Sequence, residues 1–197
     1  MRVVLTKGFG WEYKEGNHKQ LIAAVVKGVS IARDLCEDVD LCPECASVLC
    51  IDLLVDVLNA AIDAGAKTIS ILDERGRWVP DEVSELLRYL RGNLHAVHRV
   101  RLAVRCRNDL GLALANSLDA IVAGGRQIEC YLPSVVGRGC SVQEIVRALA
   151  ARREFFNTTT GIAMDRLGST RALVSRIMEC STDGNRTGDP IDASKSR

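Results

Sequence analysis

The stretch that decides the fold is Arg99-Val100-Arg101-Leu102-Ala103-Val104-Arg105-Cys106-Arg107-Asn108-Asp109-Leu110-Gly111. Its first half alternates and ends in β-branched and apolar residues, the composition of a strand. Its second half is polar. The segment Leu112-Ala113-Leu114-Ala115-Asn116 then continues with helical spacing, so the polar cluster sits where a strand hands over to a helix. In parallel α/β proteins the C-terminal tips of strands are where binding and chemistry are placed. Arg105, Arg107 and Asp109 are therefore the first candidate site residues.

Outward from this stretch the same alternation recurs. Short apolar runs at Val3–Thr6, Asp38–Cys42, Thr68–Leu72, Val100–Val104 and Gln127–Leu132 read as strands. Between them, Lys19–Leu35, Asp52–Ala64, Pro80–Arg91, Leu110–Ala123 and Val142–Arg152 carry apolar residues at helical spacing. In the first of these, Leu21, Ile22, Val25, Val26, Val29 and Ala32 share a face. Gly65 stands where a helix stops in left-handed backbone, and Pro80 where a helix starts. A further helix is expected over Asp165–Glu179. The reading is five βα units with a parallel sheet, without an internal repeat or an interdomain linker. From Ser181 the chain turns polar and rich in Gly, Asp, Ser and Thr, so disorder is expected over residues 180–197. Five units suit either a complete doubly wound domain or the larger part of an eight-unit barrel.

The chain has 197 residues, 47% hydrophobic and 26% charged, enough for one domain with a core. A formal net charge of +1 gives no electrostatic case for nucleic acid or an anionic membrane surface. No apolar run reaches the roughly 18–20 residues of a membrane span. The N-terminus resembles neither a signal nor a transit peptide. Eight cysteines are present, with Cys36, Cys42, Cys45 and Cys50 close in sequence. Cys42-Pro43-Glu44-Cys45 has the spacing of half a zinc site, but no second pair follows, so buried free cysteines are the simpler expectation. Gly137-Arg138-Gly139 precedes a helix and could cradle an anion. His18, His95 and His98 match no catalytic pattern and are expected at the surface. Trp11 and Trp78 follow strands and are candidates to cover a pocket or an interface.

Several separated motifs, in order, resemble the 2-isopropylmalate synthase / homocitrate synthase family. Its His-x-His-Asn-Asp-Leu-Gly motif, or His-Cys-Gln-Asn-Asp-Leu-Gly in plant-type members, corresponds to Arg105-Cys106-Arg107-Asn108-Asp109-Leu110-Gly111. Ala32-Arg33 with Glu37-Asp38-Val39-Asp40-Leu41-Cys42-Pro43-Glu44 is similar to A-R … E-D-V-E-F-S-P-E. Ala64-Gly65-Ala66-Lys67-Thr68-Ile69, then Asp73 and Gly76, is similar to A-G-A-T-T-I-N-I-P-D-T-V-G. Ala115-Asn116-Ser117-Leu118, Ala123-Gly124, Gln127-Ile128-Glu129 and Thr160-Gly161-Ile162 complete the match. The resemblance implies that residues 1–179 are the later part of a (β/α)8 TIM barrel, strands four to eight, truncated relative to the family.

The family condenses acetyl-CoA with a 2-oxo acid in leucine biosynthesis, with Mg or Mn polarising the oxo group. Here the resemblance places arginine at both ligand positions. A guanidinium has only donors and a permanent charge, so it cannot ligate a cation. The family's N-G-I-G-E-R-A-G-N corresponds to a shorter Pro133-Ser134-Val135-Val136-Gly137-Arg138-Gly139-Cys140, without its ligand Asn. The fifth-strand Glu corresponds to Asp40, and the Thr after the sixth-strand Asp to Glu74. The expectation is a chain without its own metal cofactor, leaning inactive. Its weak pocket candidates are Asp40, Asp73, Glu74 and Asp109. Arg105 and Arg107 are either an anion-binding pair or surface cations paired with Asp73, Glu74 or Asp109. Asn108 and Asp109 are expected to cap the following helix. Unpaired sheet edges point to self-association or to a full-length synthase as partner, and a metal-dependent activity through Cys42, Cys45 and Cys106 stays open as a remote alternative. By resemblance to plant-type members the compartment is a plastid; without a transit peptide it is the cytoplasm.

Overall fold

The computed structural model describes residues 2–5, 17–43, 50–132 and 139–183. Trp11, Cys45 and the loop glycines Gly8, Gly10 and Gly16 lie outside them, as do Gly137 and Arg138. The elements run β1 (Arg2–Leu5), α1 (His18–Leu35), β2 (Asp38–Leu41), α2 (Ile51–Asp63), β3 (Thr68–Leu72), α3 (Pro80–Asn93), β4 (Arg101–Arg105), α4 (Ala113–Val122), β5 (Gln127–Ile128), α5 (Val142–Ala151), α6 (Arg153–Phe156) and α7 (Leu167–Asp183). The five strands form one parallel sheet in the order β1-β2-β3-β4-β5, so every strand lies beside its neighbour in sequence. This is the α/β arrangement of a partial TIM barrel, as the sequence implies.

The pairing register shows what each sheet face does. Leu5, Val39, Leu41, Ile69, Ile71, Leu102 and Val104 fall on one face and are buried against the helices. From α1 come Leu21, Val25 and Val29, from α2 Leu54, Leu58 and Ile62, and from α3 Leu87 and Leu90. Each such side chain, removed from water, contributes about 1.5–3 kcal/mol before entropy is counted. The opposite face carries Asp38, Asp40, Thr68, Ser70, Arg101, Arg105 and Gln127. Parallel strands buried on both sides are usually apolar throughout. A polar inner face is the feature that prepares a site, and Asp40, Thr68 and Ser70 are all buried there.

Local signals account for most element ends. Gly65 follows α2 with φ +106°, donating its N–H to Ile62 O at 3.0 Å, as the sequence predicts. Pro80 opens α3, and Glu82 reaches back to the Val79 N–H at 3.0 Å. Several boundaries differ from the sequence reading, most by one or two residues. Helix α4 begins at Ala113 rather than Leu110, because Asn108-Asp109-Leu110-Gly111 is spent on a turn closed by Gly111 N–H to Asn108 O at 3.1 Å. Strand β5 ends at Ile128 rather than Leu132, because Tyr131 leaves the sheet to pair with Ser141. The fifth helix stops at Ala151, and the chain turns into α6. The last helix runs on to Asp183, so the first four residues of the expected disordered tail are helical. Among the described residues, no helix is long and apolar enough to cross a membrane.

Candidate functional site

The C-terminal ends of β2, β3, β4 and β5 carry two adjoining polar clusters. The first lies on the inner sheet face. Ser70 Oγ sits 2.9 Å from both carboxylate oxygens of Asp40 and 3.0 Å from Glu129 Oε1. One hydroxyl proton serves these acceptors, so Ser70 joins two carboxylates from strands β2 and β5 across β3. Arg105, at the end of β4, closes the cluster: its Nε and Nη2 lie 2.6 and 2.5 Å from Glu129 Oε2. Burial works against the Arg105 charge, but the hydrogen bond and charge of Glu129 outweigh it and hold the guanidinium above its ordinary pKa. Arg105 and Glu129 meet because Ala103 pairs with Gln127, which puts each two residues further on in the same register.

The second cluster is built from loops. Asp73 follows β3, is 2% exposed, and accepts from the backbone N–H groups of Gly76 (2.8 Å), Arg77 (3.2 Å) and Trp78 (3.3 Å). It shapes the β3–α3 loop, as an Asx turn does. Gly76 has φ +64°, and a Cβ there would lie 1.9 Å from Asp109 Oδ2, so the loop presses on the turn after β4. Arg107 ties the two together. Its Nε and Nη2 donate to Asp109 at 2.7 and 3.0 Å, and its Nη1 donates to the Glu74 carbonyl at 3.2 Å. The Asp109 hydrogen bond holds the Arg107 pKa up. Asn116 Nδ2 donates to Trp78 O at 2.7 Å, fastening the same loop to α4.

The structure thus brings Asp40, Arg105 and Glu129 into one cluster, and Asp73, Glu74, Arg107 and Asp109 into the other. Helix capping is divided differently from the sequence reading. Asn108 Oδ1 accepts the Ala113 N–H at 3.1 Å, whereas the Asp109 carboxylate pairs with Arg107. The three histidines are exposed, with His95 bonded to Asp63 at 3.0 Å. Trp78 is half-buried against the core. Cys36, Cys42, Cys106 and Cys140 are buried free cysteines. Ser70 is the residue that sequence reasoning missed. Its signal was the period-two run Thr68, Ser70 beside Asp38, Asp40, which becomes legible once the strands are paired.

The residues present do not fit the divalent metal that the resemblance implies. Both positions, the last residue of β4 and the second residue after it, carry guanidinium groups that donate to carboxylates, and a guanidinium offers no lone pair. Among the described residues there is no group of three His, Cys, Asp or Glu able to hold a metal ion.

A family model described as HMGL-like matches residues 12–174. A 2-isopropylmalate synthase of Pyrococcus furiosus is 39% identical over 154 residues, covering 77% of this chain and 31% of that protein. One of Neisseria gonorrhoeae is 38% identical over 195 residues, covering 98% of this chain and 31% of that protein. The chain spans about a third of the length of these curated relatives. A solved structure of hydroxymethylglutaryl-CoA lyase from Pseudomonas aeruginosa superimposes with a TM-score of 0.68 at 15% identity, covering 90% of this chain and 63% of that one, which is a likeness of fold. With the family model spanning every strand from β2 to β5, the chain belongs to the HMGL-like family, folds as a partial TIM barrel and is similar in sequence to 2-isopropylmalate synthases.

Proposed function

We propose that this chain is a 2-isopropylmalate-synthase-like protein that does not itself catalyse the family's condensation of acetyl-CoA with 2-oxoisovalerate. The observation that carries the reading is the pair of guanidinium groups at the C-terminal end of β4, Arg105 and Arg107. Arg105 donates to Glu129 and Arg107 to Asp109, where the resemblance expects acceptor side chains facing a cation. Without a Lewis acid on the oxo group, the carbonyl is not polarised for attack by the acetyl carbanion. Arg105 and Arg107 remain cations at the mouth of the sheet and could hold an oxo-acid carboxylate, but each already has a carboxylate partner. The test is release of free CoA from acetyl-CoA and 2-oxoisovalerate with Mg or Mn, followed with a thiol reagent. The expected rate equals that of boiled protein, and turnover above it overturns the reading.

A second reading rests on the sheet. Among the described residues β1 pairs only with β2 and β5 only with β4, and Val4 on β1 is 46% exposed. Such edges accept further strands. In this reading the protein is a non-catalytic partner of a full-length synthase. Co-purification with an intact synthase at micromolar concentration supports it, and failure to associate counts against it.

A further inference from the structure

Two cysteines bracket the connection from β5 to α5, and the backbone brings them side by side. Tyr131 N–H donates to Cys140 O at 2.9 Å, and Val142 N–H donates to Tyr131 O at 3.0 Å. These bonds form a parallel bridge between Tyr131 and Ser141. Cys130 and Cys140 each stand one residue before the bridged pair, so they are neighbours across it and their side chains leave the same face. Adjacent parallel backbones lie about 4.8 Å apart. That falls inside the Cα separation of roughly 4.4–6.8 Å that a disulfide spans. The thiols face each other closely enough to hydrogen-bond. This contact pushes the Cys130 thiol far up and brings Cys140 below the usual thiol range. Cys140 is also hydrogen-bonded by Ser117, which lowers it further; the backbone contacts are long, Cys130 Sγ to Ile128 O at 3.8 Å and Cys140 Sγ to Ser141 O at 3.6 Å. A third thiol, Cys106, is buried nearby, and burial pushes it up to about 12; it has no place in the backbone bridge that sets Cys130 beside Cys140.

We propose that Cys130 and Cys140 are a dithiol oxidation site, converted by a hydroperoxide to an intramolecular disulfide. The Cys140 thiolate attacks the O–O bond of hydrogen peroxide, giving a sulfenic acid and, after one proton is taken up, water. The Cys130 sulfur then displaces the sulfenic hydroxyl, forming the S–S bond, and its thiol proton leaves with that hydroxyl as a second water. Two thiols lose two electrons and two protons, and the peroxide is reduced. The site is coupled to the polar mouth by sequence and by contact. Cys130 directly follows Glu129, the partner of Arg105, and Gly139, before Cys140, bridges to Arg107.

The test uses the whole chain and hydrogen peroxide as probe. The protein is oxidised under native conditions, its free thiols are blocked with iodoacetamide, and it is digested with trypsin. Cleavage at Arg126, Arg138 and Arg147 places Cys130 on peptide 127–138 and Cys140 on peptide 139–147. The expected product is these two peptides joined, with two hydrogens lost, and separated by a reductant. In Cys130→Ser protein, dimedone should label Cys140, because nothing resolves its sulfenic acid; in wild-type protein it should not. Full alkylation of both cysteines after peroxide overturns the proposal, as does a cross-link of Cys140 to Cys106. Dimedone on Cys130 in Cys140→Ser protein, with none on Cys140 in Cys130→Ser protein, overturns the assigned order of attack. None of these readouts depends on the activity of the chain.

Discussion

Arg105 stands as a counter-ion to Glu129 at a position where the resemblance expects a metal ligand. A cation held by its side chain is delivered with folding, whereas a metal must be captured from solution. Removing it takes the guanidinium from Glu129, which shares the Ser70 hydroxyl with Asp40. The Arg105 side chain is 33% exposed and that of Glu129 22%, so solvent screens part of the cost. Arg105→Ala should lose about 1–2 kcal/mol, seen as a fall in Tm of roughly 3–6 °C by circular dichroism. Arg107→Ala, at a more exposed pair, should lose less. Metal gives the complementary prediction. Millimolar Mn should leave Tm unchanged, because a ligand stabilises only what it binds. The electron paramagnetic resonance signal of aqueous Mn should persist at full intensity in the presence of the protein. The substitution itself was legible in the sequence, since Arg105-Cys106-Arg107 stands against an otherwise intact Asn-Asp-Leu-Gly. Its partner was not, because Glu129 lies 24 residues on and meets Arg105 only through the register of β4 with β5.

At the scale of elements, two contacts position the site. Ser141 caps α5, its Oγ accepting the Gln143 N–H at 3.2 Å, while Glu144 accepts the Ser141 N–H at 3.3 Å. Ser141→Ala should cost about 1 kcal/mol in denaturant unfolding, with the slope unchanged. Gly76 holds the β3–α3 loop against the turn after β4. Gly76→Ala places a methyl group in left-handed backbone and on the Asp109 carboxylate. It should cost about 1–3 kcal/mol and turn Asp109 away from Arg107. A double substitution with Arg107→Ala should then cost less than the sum of its parts. Helices were the most legible elements, because α1, α2 and α3 each bury one apolar stripe. The short β5 was not, because Gln127–Leu132 is apolar enough for a full strand. What ends it is the competing pairing of Tyr131 with Ser141, a tertiary contact that local composition does not announce.

The whole molecule is a sheet with one apolar face covered by helices and one polar face gathered toward its C-terminal end. Leu58 of α2 is fully buried between helices and sheet. Leu58→Ala should cost about 2–5 kcal/mol, a large share of the stability of a domain this size. Among the described residues β1 and β5 each pair on one side only; if those edges take up further strands, the sedimentation coefficient of the purified chain should rise between micromolar and submillimolar protein. A coefficient that stays constant would mean that both edges are already covered. That the sheet is parallel was legible from strands alternating with helices. That its inner face is polar became visible only when residues two apart were aligned across neighbouring strands. In the order β1-β2-β3-β4-β5, none of the described strands waits for a partner made later than the next. As the chain leaves the ribosome, each new βα unit finds its docking edge already formed, and loop closure stays short at every step. The fold can therefore be laid down in the order in which it is translated, and Arg105, in the fourth strand, meets Glu129 only when the fifth is in place.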